Sequence, residues 1–492
     1  MKQILLLGLA VAFVLQVFAA DIPDRPEKLK FPELKYEPPV GADYRVKLKN
    51  GPVAYLVPSP ELPLVNLSIS VRTGKYVAPK GKEGLAAAAG GLLASAGTKS
   101  RTAEELQERL AFLAARLGSS VGETSGSVSM NLLSKDLDEG MAILREVLTM
   151  PRFQQDRLDL FQKQQLSAMK QRNDDSRGLE GRNLLRLGYG EHFFRNSLPT
   201  KASIESLTQD DLKGFHRDWF HPANFIVAVS GDFERADMVK RLNKLFADWP
   251  FKGKKAPSIP TNKTFSKPGI YIVNKDVNQG RVSIILPGIT RDNPDYYAIQ
   301  VMNDILGGGG FTSRITNRVR SDEGLAYSAY SYMPGGTYYP LLFMAGYQSK
   351  SATVQYAAQI VLEEMRRITV EAVTDKEMVT AKSSYIQTFP QTFETKGKVA
   401  VTFANEEFTG RGARNPAYYK EFRAKMAAVT KADVQRVAKK YLTPNKVVIL
   451  IVGDKDVILK GHPDHPVNLD SLARGGLKNV PLRDPFTLQP LK

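Results

Sequence analysis

A segment in the middle of the chain returns near its end. Thr208 to Asp232, TQDDLKGFHRDWFHPANFIVAVSGD, aligns without a gap with Thr430 to Asp454, TKADVQRVAKKYLTPNKVVILIVGD, at an offset of 222 residues. Thr208, Asp211, Pro222, Gly231 and Asp232 meet Thr430, Asp433, Pro444, Gly453 and Asp454. Each copy opens with a T-x-x-D pattern, whose side-chain oxygens can take up free N–H groups of a first helical turn. An amphipathic helix follows, then a proline break, then a β-rich run, Phe225 to Ser230 or Val447 to Val452, closing on Gly-Asp. This period is far too long for a solenoid, so it marks duplication of a whole domain.

The boundary between the copies is compositional. Pro250 to Pro268 is rich in Pro, Lys and Ser and has no periodicity, so it reads as a linker. The expected organisation is a targeting segment at 1–20, a first domain at 40–250, a linker at 251–268, a second domain at 269–460 and a Pro-rich tail at 461–492. In the first half, strands are expected at Val65 to Arg72 and Ser125 to Leu133. Helices are expected at Thr102 to Leu117, opened by a Thr102-x-x-Glu105 capping box, and at Leu137 to Leu148 and Phe153 to Arg172. The second half repeats the rhythm, with strands at Arg281 to Ile285 and Leu325 to Tyr332 and helices at Tyr296 to Leu306 and Val354 to Ile368. The β-α-β spacing is not the regular alternation of a doubly wound sheet. Each half therefore reads as α+β, an antiparallel-rich sheet covered by helices.

At the N-terminus, Lys2 precedes an apolar run from Ile4 to Phe18, interrupted only by Gln16, and small residues Ala19 and Ala20 come before Asp21. The run is shorter than the ~20 residues a spanning helix needs, and the pattern is that of a secretory signal peptide rather than a membrane anchor. No later stretch is long and apolar enough to span a bilayer. Expected localisation is exported, periplasmic or otherwise extracytoplasmic. Without cysteine, the chain has no disulfide, thiolate zinc site, cysteine nucleophile or lipobox. The formal charge of +17 suits acidic surfaces, peptides or lipid headgroups, or simply a solvated basic surface. Nucleic acid is not expected as a partner, since no recognisable motif accompanies the charge.

Several segments carry a resemblance that spans about residues 45 to 455: Gly84-Leu85-Ala86 after the strand end at Arg72–Gly74, Pro222-x-Asn224 before the strand ending Gly231-Asp232, and GGGGFTSRITNRVRSDEGLAYS from Gly307. The chain resembles the insulinase/pitrilysin-type metallopeptidases, especially the branch of mitochondrial processing peptidase and its bacterial relatives. Catalytic members carry His-x-x-Glu-His on the helix that begins Gly-Leu-Ala. Two His one turn apart grip one zinc, and the Glu polarises its water; a Glu on a later helix completes the site. In this sequence those positions hold Ala87, Ala88, Ala89, Gly90 and Gly91, and the later one falls at or near Ala168. From Gln162 to Gln171 there is no Asp, Glu or His, so a shifted alignment restores no ligand. No metal is expected in this chain. Close approach to a neighbour or flexibility is expected to compensate the paired glycines in a helix.

The five histidines offer no substitute. His462 and His465 lie in GHPDHP, where prolines bar the helix that would give their spacing meaning. His192, His216 and His221 show no metal pattern, and a packing or surface role is expected for His216.

What the resemblance keeps is an Arg and a Tyr seven residues apart, here Arg320 and Tyr327. It implies that the Tyr hydroxyl donates to a scissile carbonyl as charge develops there and that the Arg bonds a substrate carbonyl. By strand alternation, Tyr327 is expected on the opposite face from Tyr330. The run Gly307, Gly308, Gly309 and Gly310 lacks the Gly-Lys-Ser/Thr ending of a phosphate loop; the resemblance gives it a weak role in guiding substrate. It also implies a non-catalytic subunit that pairs with a zinc-bearing homologous chain and takes unfolded peptides by strand addition. The alternative is a peptide-binding or scaffold protein without proteolysis, as in the core subunits of the respiratory bc1 complex.

Overall fold

Two strands without a polar break sit deep in the molecule. Phe225–Gly231 is buried along almost its whole length, and Val448–Gly453 is buried throughout. Such strands need cover on both faces, and the way this chain supplies it sets the architecture. The computed structural model describes residues 25, 28–29, 35–49, 51–262, 264–467 and 469–491. The expected signal peptide lies outside them. Residues 38–492 form one body.

The strands run in chain order as β1 (Arg45–Lys47), β2 (Val53–Pro58), β3 (Leu64–Val71), β4 (Arg116–Val121), β5 (Gly126–Leu133), β6 (Phe225–Gly231), β7 (Gly269–Asn274), β8 (Gln279–Leu286), β9 (Ile289–Thr290), β10 (Ala326–Tyr332), β11 (Gly335–Gly336), β12 (Phe343–Lys350), β13 (Val448–Gly453) and β14 (Leu477–Asn479). One six-stranded sheet has the order β1-β2-β6-β3-β5-β4, the other β10-β12-β8-β13-β7-β14. In the first sheet β2 and β6 are parallel and the other pairs antiparallel; in the second, β14, β7 and β13 are mutually parallel and the rest antiparallel. Apart from the edge strands β1 and β14, the two orders are the same, and the repeated strands β6 and β13 occupy equivalent inner places. The α+β reading and the duplication both hold.

Each sheet is covered on one face by helices of its own half. On β13, Ile449 and Ile451 enter a core with Ile360, Val361, Val434 and Val437. The other face of each sheet is covered by a helix from the opposite half. Leu450 and Val452 pack with Leu179, and Val448 with Tyr189, on the helix Ser176–Tyr189 of the first half. In return, the helix Lys396–Thr409 lies on β2, β3 and β6. Its Phe403 stacks on Tyr55 at 6.2 Å between ring centres, and its Glu407 accepts from Tyr55 Oη at 3.0 Å and from Arg45 Nε and Nη2 at 3.0 and 2.9 Å. The exchanged helices occupy equivalent places in the duplication, so the halves interlock.

The tail is more ordered than its composition suggests. It adds β14 to the second sheet and then crosses to the first half. There Arg483 pairs with Glu191 at 2.9 and 3.0 Å, Lys201 N donates to Phe486 O at 2.9 Å, and Phe486 packs against the first core. One expected helix was too long. Thr102 and Glu105 do close a capping box, but the helix ends at Phe112 and Leu117 belongs to β4. Ala114, at φ +49°, breaks the helical path between them. No helix of the described residues is long and apolar enough to cross a membrane.

Candidate functional site

The helix Leu85–Leu93 starts after Gly84, whose φ of +107° suits glycine. Leu85, Ala86, Ala88, Ala89, Gly90, Leu92 and Leu93 are buried; Ala87 and Gly91, one turn apart, are exposed. The two positions expected for histidine thus share the open face. Ala87 lines a cavity of about 850 Å³, together with Lys75, Tyr76, Glu123 and Phe194. That face presents only a methyl group and a hydrogen, so it offers no metal ligand. Ala168 is exposed on the helix Gln155–Lys170 and is equally inert.

Gly90, at the position of the catalytic Glu, has no space for a side chain. An added Cβ would lie 2.2 Å from Val121 N and 2.7 Å from the Ser120 carbonyl carbon on β4. Ser119 Oγ fixes this approach by donating to Gly90 O at 2.6 Å and accepting from Ala94 N at 3.0 Å. Close approach explains Gly90, whereas Gly91 has nothing within 4 Å of its missing Cβ. The residues present therefore do not fit a zinc ion. Among the described residues no group of His, Asp and Glu could hold a metal. His216 is buried, with Nε2 2.9 Å from Leu148 O and its pKa pushed down to about 4 by burial. His221 meets Lys254 O at 3.0 Å, and His462 and His465 form an isolated bridge in the tail.

The second half is richer in chemistry. Its helix Tyr296–Asn303 widens into a π-helical turn at Asp304–Gly308, and another π-helical turn spans Asn317–Asp322. Three of the four glycines at the end of the first turn and just after it are packing residues. A Cβ on Gly307 would lie 2.4 Å from Ser331 N on β10, one on Gly308 2.8 Å from Asn303 Nδ2, and one on Gly309 2.9 Å from Asp304 O. Gly310, at φ +58°, is open. Directly after it comes Phe311, 65 % exposed, which the motif reading passed over.

Phe311 organises the site. The Arg320 guanidinium carbon stands 4.5 Å from the Phe311 ring centre and 4.4 Å from that of Tyr327, so the cation is held between two aromatic faces. Tyr327 is 84 % exposed. Among the described residues Arg320 makes no ion pair, and neither its guanidinium nor the Tyr327 hydroxyl has a hydrogen-bond partner. Their donors are free and their geometry is fixed by stacking. An aromatic residue directly after a glycine run, a few residues before the Arg, was the only sequence signal for this clamp.

The strand carrying Tyr327 corrects one expectation. Between the pairs Ala326–Ser349 and Ala329–Tyr347, β10 holds one residue more than β12. This bulge resets the alternation. Ala326, Ala329 and Ser331 are buried, while Tyr327, Tyr330 and Tyr332 are all exposed. Tyr327 is not set apart from Tyr330 as strict alternation required. Neither Arg320 nor Tyr327 lines the cavity beside Ala87.

Comparison with known proteins fits this geometry. Residues 206–385 match the family described as Peptidase M16 inactive domain. A "Non-peptidase homolog YmxG" from Helicobacter pylori is 28% identical over 342 residues, 68% of this chain and 77% of that protein. An "Uncharacterized zinc protease" from Streptomyces coelicolor is 23% identical over 368 residues, 73% of this chain and 79% of that one. Among solved structures, a peptidase M16 inactive domain from Pseudomonas fluorescens superposes with a TM-score of 0.73 at 23% identity, over 83% of this chain and 97% of its own. The periplasmic protease PqqL from Escherichia coli gives 0.70 at 15% identity, over 84% of this chain and 45% of its own, a likeness of fold. With the duplicated α+β sheets and the Gly-Leu-Ala helix, these matches show that the chain carries a segment matching the M16 inactive domain at residues 206–385 and is similar to M16, or insulinase/pitrilysin-type, peptidases.

Proposed function

We propose that the chain is the exported, non-catalytic subunit of a heteromeric zinc metallopeptidase. It binds unfolded peptides and supplies Arg320 and Tyr327 to a zinc-bearing partner of similar fold. One observation carries this reading: Arg320 is clamped between Phe311 and Tyr327 with its donors unspent, while the helix face that would hold zinc carries Ala87 and Gly91. Tyr327 Oη would donate to the carbonyl oxygen of the scissile bond as it gains charge, and Arg320 to a neighbouring backbone carbonyl. A preorganised donor of this kind lowers the barrier by about 3 kcal/mol. Peptide backbone would add to an open sheet edge; β4 and β10 end their sheets and are the candidates. The domains at 40–250 and 269–460 would enclose the peptide together with those of the partner. The "non-peptidase" name of the Helicobacter pylori relative and the periplasmic setting of PqqL support the inactive and exported parts of the reading.

Metal analysis and peptidase assays test it. The purified chain alone is expected to hold no stoichiometric zinc and to cleave nothing. Mixed with a zinc-bearing homologue from the same cell, it is expected to yield activity that neither has alone. Stoichiometric zinc and cleavage by the lone chain would overturn the proposal.

A further inference from the structure

The excess of positive charge is unevenly spread. Residues 235–255 hold seven Lys and Arg against two Asp, in a chain whose 68 Lys and Arg face 51 Asp and Glu overall. Four of those seven, Lys240, Lys244, Lys252 and Lys255, are exposed and make no ion pair among the described residues, and the same holds for Lys47 and Lys49 at the end of β1. Contacts of the backbone draw the six together. Lys49 N donates to Asn243 Oδ1 at 2.8 Å, which seats it on the helix Arg235–Phe246, where Lys240 and Lys244 stand one turn apart. Gly51, two residues on, approaches Pro222, its missing Cβ 4.0 Å from Pro222 O. His221 Nε2 and Asn224 Nδ2, on either side of that proline, each meet Lys254 O at 3.0 Å and hold the 252–255 segment alongside. The carboxylates within reach are mostly spent. Asp218 pairs with Lys254 at 2.7 Å and Asp237 with Arg241 at 2.6 Å, while Glu234 caps the helix by accepting from Asp237 N at 2.7 Å. Asp43 and Asp248 remain exposed without an ion pair among the described residues, against six lysines.

The residue types say what such a face can meet. Among the described residues of 41–56 and 213–256, no large apolar side chain is exposed. The face therefore offers no anchor for a protein interface and no aromatic platform for unstacked bases. Lysine is itself depleted from protein–protein interfaces. An ammonium group on a flexible stem acts as a point charge and needs no fixed partner geometry. That suits a diffuse layer of negative charge, to which each lysine adds attraction without having to dock, and clusters of roughly four to eight cations are what bind anionic lipid.

We infer that this lysine face docks the chain on anionic phospholipid headgroups, holding it peripherally on a bilayer with nothing inserted. For the exported chain proposed above, a bilayer rather than nucleic acid is the polyanion at hand. Co-sedimentation of the full chain with vesicles tests it. Vesicles of equal parts phosphatidylglycerol and phosphatidylcholine are expected to carry the chain down at about 50 mM salt and to release it at about 500 mM, where screening is short-ranged. Vesicles of phosphatidylcholine alone are expected to leave it in solution. Replacing Lys47, Lys49, Lys240 and Lys244 together by Gln should weaken binding to the anionic vesicles at least about tenfold, with folding checked by circular dichroism. The same change at Lys350, Lys376, Lys420 and Lys439, exposed and without ion pairs in the second half, removes equal charge and should leave most of the binding. No binding by the native chain at low salt would overturn the inference. So would an equal loss from the two quadruple variants, which would make binding a property of net charge and not of this face. Release from the vesicles by duplex DNA at equal charge concentration would overturn it in favour of nucleic acid.

Discussion

The helix Leu85–Leu93 against β4 and the helix from Tyr296 against β10 are counterparts in the duplication, and each is seated by a glycine. Gly90 lies on the Val121 backbone and Gly307 on the Ser331 backbone, each closely enough that a Cβ would fall 2.2 or 2.4 Å from the strand nitrogen. Beyond this shared contact the two regions diverge. The first presents Ala87 and Gly91, which have no chemistry. The second continues into Phe311, Arg320 and Tyr327, whose donors are poised and unpaired. The first half has thus adopted a packing that leaves no room for a Glu at position 90, while the second carries the groups proposed above to hold substrate.

The strongest way to break this comparison is to rebuild the zinc motif. Gly90→Glu, alone or with Ala87→His and Gly91→His, must displace β4 and is expected to destabilise the fold by about 3 kcal/mol or more. The triple variant should gain no stoichiometric zinc, as judged by chemical denaturation and metal analysis. Gly307→Ala probes the counterpart contact and should cost about 2 kcal/mol; a neutral result would show that the two glycines are not equivalent.

A smaller effect separates the halves by charge. Burial pushes the Asp304 carboxyl up to about 6. The folded state then holds its proton more tightly than the unfolded chain, so stability falls as pH rises from about 4 through 6. Asp304→Asn should therefore be more stable than the native chain by about 1–2 kcal/mol at pH 8, and the advantage should vanish near pH 4 in denaturant titrations. Smallest of all, Gly91→His has open space and solvent before it and should change stability by no more than about 1 kcal/mol.

Much of this was legible in the chain. The repeated Thr208 and Thr430 segments form matching capping boxes with Asp211 and Asp433 and lead into the equivalent strands β6 and β13. Local chemistry of this kind is written in spacing. The helix exchange was not legible, because an apolar stripe on Ser176–Tyr189 does not say which sheet it will meet. The bulge in β10 was hidden because one extra residue leaves composition unchanged while resetting every face after it. The glycine run carries no motif of its own, yet Gly307, Gly308 and Gly309 are confined by neighbours distant or local that no motif names. Phe311 was overlooked because its importance depends on where Arg320 points.

Tyr327 is proposed to act in a neighbour's active site. Its hydroxyl makes no hydrogen bond among the described residues, so Tyr327→Phe should leave the stability of the chain and its association with a zinc-bearing partner unchanged. In the reconstituted pair, kcat for an unfolded peptide should then fall by about 100-fold, the loss expected for one preorganised transition-state donor. An unchanged kcat in a fully assembled pair would contradict the account and leave this chain a scaffold.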